Sequence, residues 1–217
     1  MSAEHQQQRL ARFTGSLPMV YREFFMPLAP NPGLCEYLLK FWQNFDSKDA
    51  AGDLLPEVSE LLKREGLLLY GPPRAGKTQI ACELVRRQIA NPADTADARF
   101  ISAVQWGCET SRRAKQCDLD NWVEEQLAFA WRKDCASPYL LIDDLDKTRL
   151  SATVESQLFN LIETATSNQV TLVVTTNCAA SALAKRFTDK IIAEAILARL
   201  KEFCTPMDMA VKPEVEF

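Results

Sequence analysis

Apolar positions along this chain fall into short unbroken runs separated by longer stretches in which they recur every three or four residues. Gly66-Leu67-Leu68-Leu69-Tyr70 is such a run, halted by a Gly-Pro-Pro turn, and has the look of a strand buried on both faces of a parallel sheet. Further runs cover Arg99 to Val104, Tyr139 to Ile142 and Val170 to Thr175, with a last strand-like piece near Thr205 to Val211. Between them, Thr78 to Ala90 gathers Ile80, Ala81, Leu84, Val85 and Ile89 on one helix face and stops at Asn91-Pro92. Trp122 to Lys133 is a second helix with Asn121 as its expected N-cap, and Val154 to Thr166 places Val154, Leu158, Leu161 and Ile162 on one side. Two more helical segments follow at Ser181 to Phe187 and Ile191 to Phe203. Alternating strand and helix predicts an α/β fold, a parallel sheet with helices on both faces.

Upstream the pattern is less regular. Residues 1–33 carry the turn-forming pairs Leu17-Pro18, Met26-Pro27 and Pro30-Asn31-Pro32-Gly33 and read as a short lead-in with turns, so the domain is expected over 34–217. Leu34, Leu38, Phe41, Trp42 and Phe45 recur at helical spacing, and Leu54 to Arg64 forms a second candidate helix.

Composition narrows the picture by exclusion. A length of 217 residues suits one sizeable domain. A formal net charge of -4 provides no global field for nucleic acid, so any such contact must be local. The 7 cysteines are odd in number and never spaced as CxxC, and 1 histidine is too few for a Cys/His cluster. They read as reduced thiols. The polar N-terminus lacks the layout of a secretion signal and no apolar run approaches the ~18 residues that span a bilayer, which points to the cytoplasm and no membrane.

Candidate chemistry begins where the first strand ends. Gly71-Pro72-Pro73-Arg74-Ala75-Gly76-Lys77-Thr78 has the spacing of a phosphate-binding loop. Glycines at both ends let backbone N–H groups close around phosphate oxygens, Lys77 reaches the terminal phosphates and the Thr78 hydroxyl is a ligand for Mg2+. ATP and Mg2+ are the expected ligands. Arg74 and Ala75 stand where such loops often carry Gly and Thr; Arg74 either adds a phosphate contact or points to solvent, and solvent is the simpler reading.

Tyr139-Leu140-Leu141-Ile142-Asp143-Asp144 puts two carboxylates at the end of a core strand, where a parallel sheet opens into its ligand crevice. Asp143 is the expected Mg2+ ligand, acting through the ion's water shell, and Asp144 is placed to orient or deprotonate the attacking water. Asp146 reads as a loop acid. Asn177 closes the apolar run Thr171 to Thr176 at the same end of the sheet, suited to hydrogen-bond a water or the γ-phosphate. Arg199 lies in the largely apolar helix Ala195 to Leu200, either at its surface edge or presented to a neighbouring subunit's ATP.

Taken with Leu17-Pro18-Met19-Val20-Tyr21-Arg22, Phe100 to Ala103, Gln157 to Ile162, Val173 to Asn177 and Ala198-Arg199-Leu200, these motifs resemble the AAA+ ATPases of the DnaC and IstB type, which are helicase loaders and transposition ATPases. The resemblance implies a P-loop NTPase of AAA+ type with a five-stranded parallel sheet and no C-terminal lid domain. It further implies ATP hydrolysis across subunit boundaries in a homo-oligomer, Asn177 as sensor 1 and Arg199 as a trans-acting arginine finger. The partners implied are single-stranded DNA and a replicative helicase or transposase.

The resemblance also implies that single-stranded DNA is gripped by the element between the second and third strands, here Gln105 to Pro138, where Arg112, Arg113, Lys115, Arg132 and Lys133 are interleaved with Trp106, Trp122 and Trp131. Asp118, Asp120, Glu124 and Glu125 share the segment, so a solvated amphipathic helix remains open beside DNA contact. Two other functional classes are a small-molecule P-loop kinase and an ATP-binding adaptor with little turnover.

Overall fold

The computed structural model describes residues 3–22, 66–91, 95–148 and 150–209. The helices expected at 34–45 and 54–64 and the turns at 26–33 lie outside the described residues. Five strands, β1 (Gly66–Tyr70), β2 (Ala96–Ser102), β3 (Ser137–Asp143), β4 (Thr171–Thr176) and β5 (Cys204–Asp208), form one sheet in the order β2-β3-β4-β1-β5. Every neighbouring pair is parallel, with Leu68 opposite Val174 and Leu141 opposite Val173.

Side chains alternate across a strand, so each apolar run supplies both faces of the sheet. Leu67, Leu69, Tyr139, Leu141 and Val173 face one layer, where Ile80, Leu84 and Val85 of α3 (Lys77–Ala90) pack. Leu68, Leu140, Ile142, Leu172 and Val174 face the other. There they meet Trp106 of α4 (Ala103–Lys115), Leu158, Leu161 and Ile162 of α6 (Ala152–Ser167), and Ile196 and Leu200 of α8 (Lys190–Phe203). Two short helices, α5 (Trp122–Leu127) and α7 (Ala180–Ala184), complete that layer.

Gly66 opens β1 because nothing larger fits: a Cβ there would lie 2.3 Å from the Leu172 carbonyl oxygen and 2.8 Å from that of Phe203. Ser151 caps α6 by accepting from the Val154 N–H, and Asp189 caps α8 by accepting from Ile191 and Ile192. Buried Glu155 on α6 accepts from the Thr188 N–H at 2.6 Å, the Thr188 hydroxyl at 2.8 Å and the Asp189 N–H at 3.0 Å, which ties the entry of α8 to α6.

The segment expected to be a lead-in with turns contains a helix, α1 (Ala3–Ser16), followed by the short α2 (Met19–Arg22). Phe13 and Leu17 are buried against α3 and the sheet, and Arg9, 1% exposed, reaches the Ala96 carbonyl at 3.3 Å and the Asp134 carboxylate at 2.7 Å. The run of glutamines and the arginine on its inward face hid the helical period. Other boundaries shift as well. β2 starts at Ala96 and yields to α4 at Ala103, so Val104 is helical. The helix after Asn121 ends at Leu127, and Asn121 enters it in a left-handed conformation (φ 60) without a side-chain cap. No helix among the described residues is long and apolar enough to cross a membrane.

Candidate functional site

The crossover from β1 to β2, on the far side of the sheet, leaves the C-terminal ends of β1, β3 and β4 side by side, and a cleft of about 490 Å³ opens there. Gly71 and Gly76 take positive φ angles of 146 and 79, which turn the loop and aim it at the N-terminus of α3. Arg74 is also left-handed (φ 67) and its side chain is exposed. That conformation accounts for glycine being the easier residue at this position.

Lys77 is buried and folds back over the loop, donating to the Gly71 carbonyl at 3.0 Å, the Pro72 carbonyl at 2.8 Å and Asn177 Oδ1 at 2.9 Å. Burial lowers its pKa, against the pull of Asp144 and Asp146. Three carbonyl-type acceptors thus hold the ammonium against the loop and the end of β4.

Thr78 Oγ1 donates to Asp143 Oδ1 at 2.6 Å, and Thr175 Oγ1 donates to the same oxygen at 2.7 Å. Burial pushes the Asp143 carboxyl above the usual range, opposed by those two hydroxyls. A hydroxyl and a desolvated carboxylate this close suit Mg2+, which takes one or two protein oxygens and completes its shell with water and phosphate. Among the described residues no group of three or more His, Cys, Asp or Glu side chains offers an all-protein cage.

Asp144 is left-handed (φ 56), is tied by its N–H to Thr175 Oγ1 at 2.9 Å, and lines the cleft. Its carboxylate accepts from Lys147 Nζ at 2.7 Å, and that bond raises the lysine's pKa. Asn177 also lines the cleft. Lys77, Thr78, Asp143, Asp144 and Asn177 are thus brought together, whereas Pro72 and Pro73 contribute backbone and curvature.

Two expectations change. Asp146, read as a loop acid, is 6% exposed and accepts from Thr176 Oγ1 at 3.1 Å, the Asn177 N–H at 2.7 Å and Asn177 Nδ2 at 3.1 Å. Burial alone would raise its pKa, but the hydrogen bonds from Asn177 and Thr176 outweigh it and lower it. The surface reading of Trp106 and Trp122 also fails. They are buried and stacked at 5.0 Å between centroids, and Trp122 Nε1 donates to Thr110 Oγ1.

The cations beside them are engaged by acids. Arg113 lies 4.1 Å over the Trp122 ring and pairs with Glu109 and Glu125, and Arg112 pairs with Glu109. Lys115, at the end of α4, and Trp131 are exposed.

Arg199 does not line the cleft of its own chain. Its guanidinium makes two hydrogen bonds to Glu163, at 2.6 and 2.7 Å, and a third to Glu202 at 3.1 Å. The sequence reading also missed Tyr21 and Lys147, which line the cleft, and Thr175 and Thr176, which anchor the acids. Tyr21 is hydrogen-bonded with Thr78, and burial raises its pKa. The polar end of the fourth apolar run was the available sign for the threonines; nothing marked Lys147.

Comparison with known proteins follows the same lines. Among solved structures the DnaC helicase loader superposes with TM-score 0.55 at 16% identity, covering 80% of this chain and 98% of that one. DnaI superposes with TM-score 0.54 at 20% identity, covering 85% and 94%. The replication initiator DnaA bound to AMPPCP and single-stranded DNA gives 0.54 at 13% identity, covering 80% of this chain and 50% of that one. These likenesses show the fold. No curated protein matches the sequence. Residues 26–212 match the family described as IstB-like ATP binding protein, and a match of that extent means that the chain belongs to this family.

Proposed function

We propose that the chain binds Mg-ATP in this cleft and hydrolyses it, and that it acts as an ATP-switched assembly factor on DNA. The observation that carries the reading is the direct contact of the P-loop with the strand-end residues: Thr78 with Asp143, and Lys77 with Asn177. Membership of an ATP-binding family supports the ligand. Fold likeness to a helicase loader and to a DNA-bound replication initiator supports the DNA context.

In this reading Lys77 leaves the loop carbonyls for the β- and γ-phosphates. Thr78 and Asp143 would hold Mg2+, which would supply neutralising charge to the phosphate oxygens. Asp144 accepts a proton from a water as its oxygen bonds to the γ-phosphorus and the bridging P–O bond breaks, giving ADP and phosphate. Arg199, remote from its own cleft, serves the ATP of a neighbouring copy once it leaves Glu163. The assembly is a homo-oligomer, and the target is a replicative helicase or a transposase.

Phosphate release, measured with and without single-stranded DNA, tests this alongside binding of a fluorescent ATP analogue. Lys77→Ala is expected to lose binding, whereas Asp144→Asn keeps binding and loses turnover about 10²-fold or more. Binding without turnover under every condition would favour an ATP-holding adaptor, a reading that the Lys147–Asp144 pair supports. Stoichiometric phosphorylation of a small acceptor would favour a kinase.

A further inference from the structure

We propose that Asp146 is a positioning residue, whose carboxylate orients the side-chain amide of Asn177 so that Asn177 meets the cleft as a hydrogen-bond acceptor. The proposal rests on the ATPase reading for its catalytic consequence and on geometry alone for the orientation.

An asparagine amide has two unlike ends, an NH2 that only donates and an oxygen that only accepts. Asp146 accepts from Asn177 Nδ2 at 3.2 Å through Oδ1 and 3.1 Å through Oδ2, and a carboxylate cannot donate in return. On the other side Lys77 Nζ, which only donates, lies 2.9 Å from Asn177 Oδ1. Flipping the amide would set oxygen against carboxylate and NH2 against ammonium. Both neighbours therefore select the same orientation, and the two contacts reinforce each other.

Asp146 is itself held in place. Its carboxylate also takes the Asn177 N–H at 2.7 Å and Thr176 Oγ1 at 3.1 Å, while its carbonyl accepts from Arg186 Nε at 3.0 Å and Nη2 at 2.6 Å. The 3-10 turn Leu145–Lys147 that carries it is thereby pinned beneath the end of β4. When Lys77 moves to phosphate, Asn177 Oδ1 is left facing the cleft as an acceptor for a water hydrogen. With its NH2 committed to Asp146, Asn177 then acts on the water and makes no direct N–H bond to the γ-phosphate.

Asp146→Asn keeps size and an acceptor oxygen but removes the charge and adds a donor, so the Asn177 amide loses its bias. Expected is a fall in kcat of about tenfold, with thermal stability and ATP-analogue affinity nearly kept, and no further fall when Asp146→Asn is added to Asn177→Ala. The exchanged pair, Asp146→Asn with Asn177→Asp, again presents an acceptor to Lys77 and should recover part of kcat. Additive losses in the double variant, or no recovery in the exchanged pair when it folds, would overturn the proposal.

Side-chain amide NMR reads the same contact without turnover. The Asn177 NH2 signals, identified by their loss in Asn177→Ala, should resist hydrogen exchange in the wild type and lose protection in Asp146→Asn. Rapid exchange in the folded wild type overturns the proposal whatever the ATPase assay shows. A protected amide in a protein without turnover upholds the orientation and instead counts against hydrolysis.

Discussion

Lys147 Nζ sits 2.7 Å from Asp144 Oδ2, so the carboxylate proposed to activate water is ion-paired with its own chain three residues on. A base needs a free lone pair at the moment of attack, and this bond occupies one. The lysine is half exposed, which limits the pair to about 0.2–1 kcal/mol. Lys147→Met should therefore raise basal kcat by up to about fivefold, read as phosphate release at saturating ATP. A lower kcat with a raised KM would show that the ammonium instead serves the phosphates.

How much of this site could be read in advance depends on the kind of contact. Lys77, Thr78, Asp143, Asp144 and Asn177 come together because a parallel sheet sends every strand end to the same edge, and sequence order already encodes that. Asp146 and Lys147 could not be read that way. A 3-10 turn folds Asp146 inward and Lys147 back toward Asp144, and local composition shows only a polar loop. Trp106 and Trp122 lie on separate helices in a segment rich in charge, and only their packing shows that they are core. The left-handed backbone at Arg74 likewise shows why glycine is the easier residue there, and nothing in the structure explains the arginine itself.

Asp143→Asn separates stability from function. Because burial raises this carboxyl's pKa in the folded state, the folded chain binds the proton more tightly than the unfolded chain does. That contribution is complete below the unfolded value and is lost as pH rises through the folded one. At neutral pH the ionised, desolvated carboxylate is a cost without Mg2+. Asp143→Asn should raise the melting temperature of the ligand-free protein by a few degrees, flatten its pH dependence just above the ordinary carboxylate range, and abolish Mg2+-dependent turnover. Calorimetry across that pH window checks the first two, and phosphate release with and without Mg2+ checks the third.

Arg199→Ala and Lys77→Ala should each be inactive alone. If each site takes its P-loop from one copy and its arginine from the next, an equimolar mixture forms roughly a quarter of its sites with both intact. Phosphate release from the mixture should reach about that fraction of wild type; none at any ratio would rule out a shared site. Glu163→Gln, which loosens the grip on Arg199, should lower the concentration at which activity appears.

Glu155→Ala should cost about 2–4 kcal/mol, because the N–H groups of Thr188 and Asp189 and the Thr188 hydroxyl lose their buried acceptor. Urea unfolding measures the loss, and Glu155→Gln, which keeps one acceptor, should show a smaller one.

The Trp106–Trp122 stack gives the protein a built-in optical probe. Two indoles inclined by 18° at 5.0 Å, with the Arg113 guanidinium over one of them, are close enough for their excited states to couple. The coupled band in near-ultraviolet circular dichroism will follow the packing of α4 on α5. Movement of that region when a partner binds is therefore visible in the unlabelled chain.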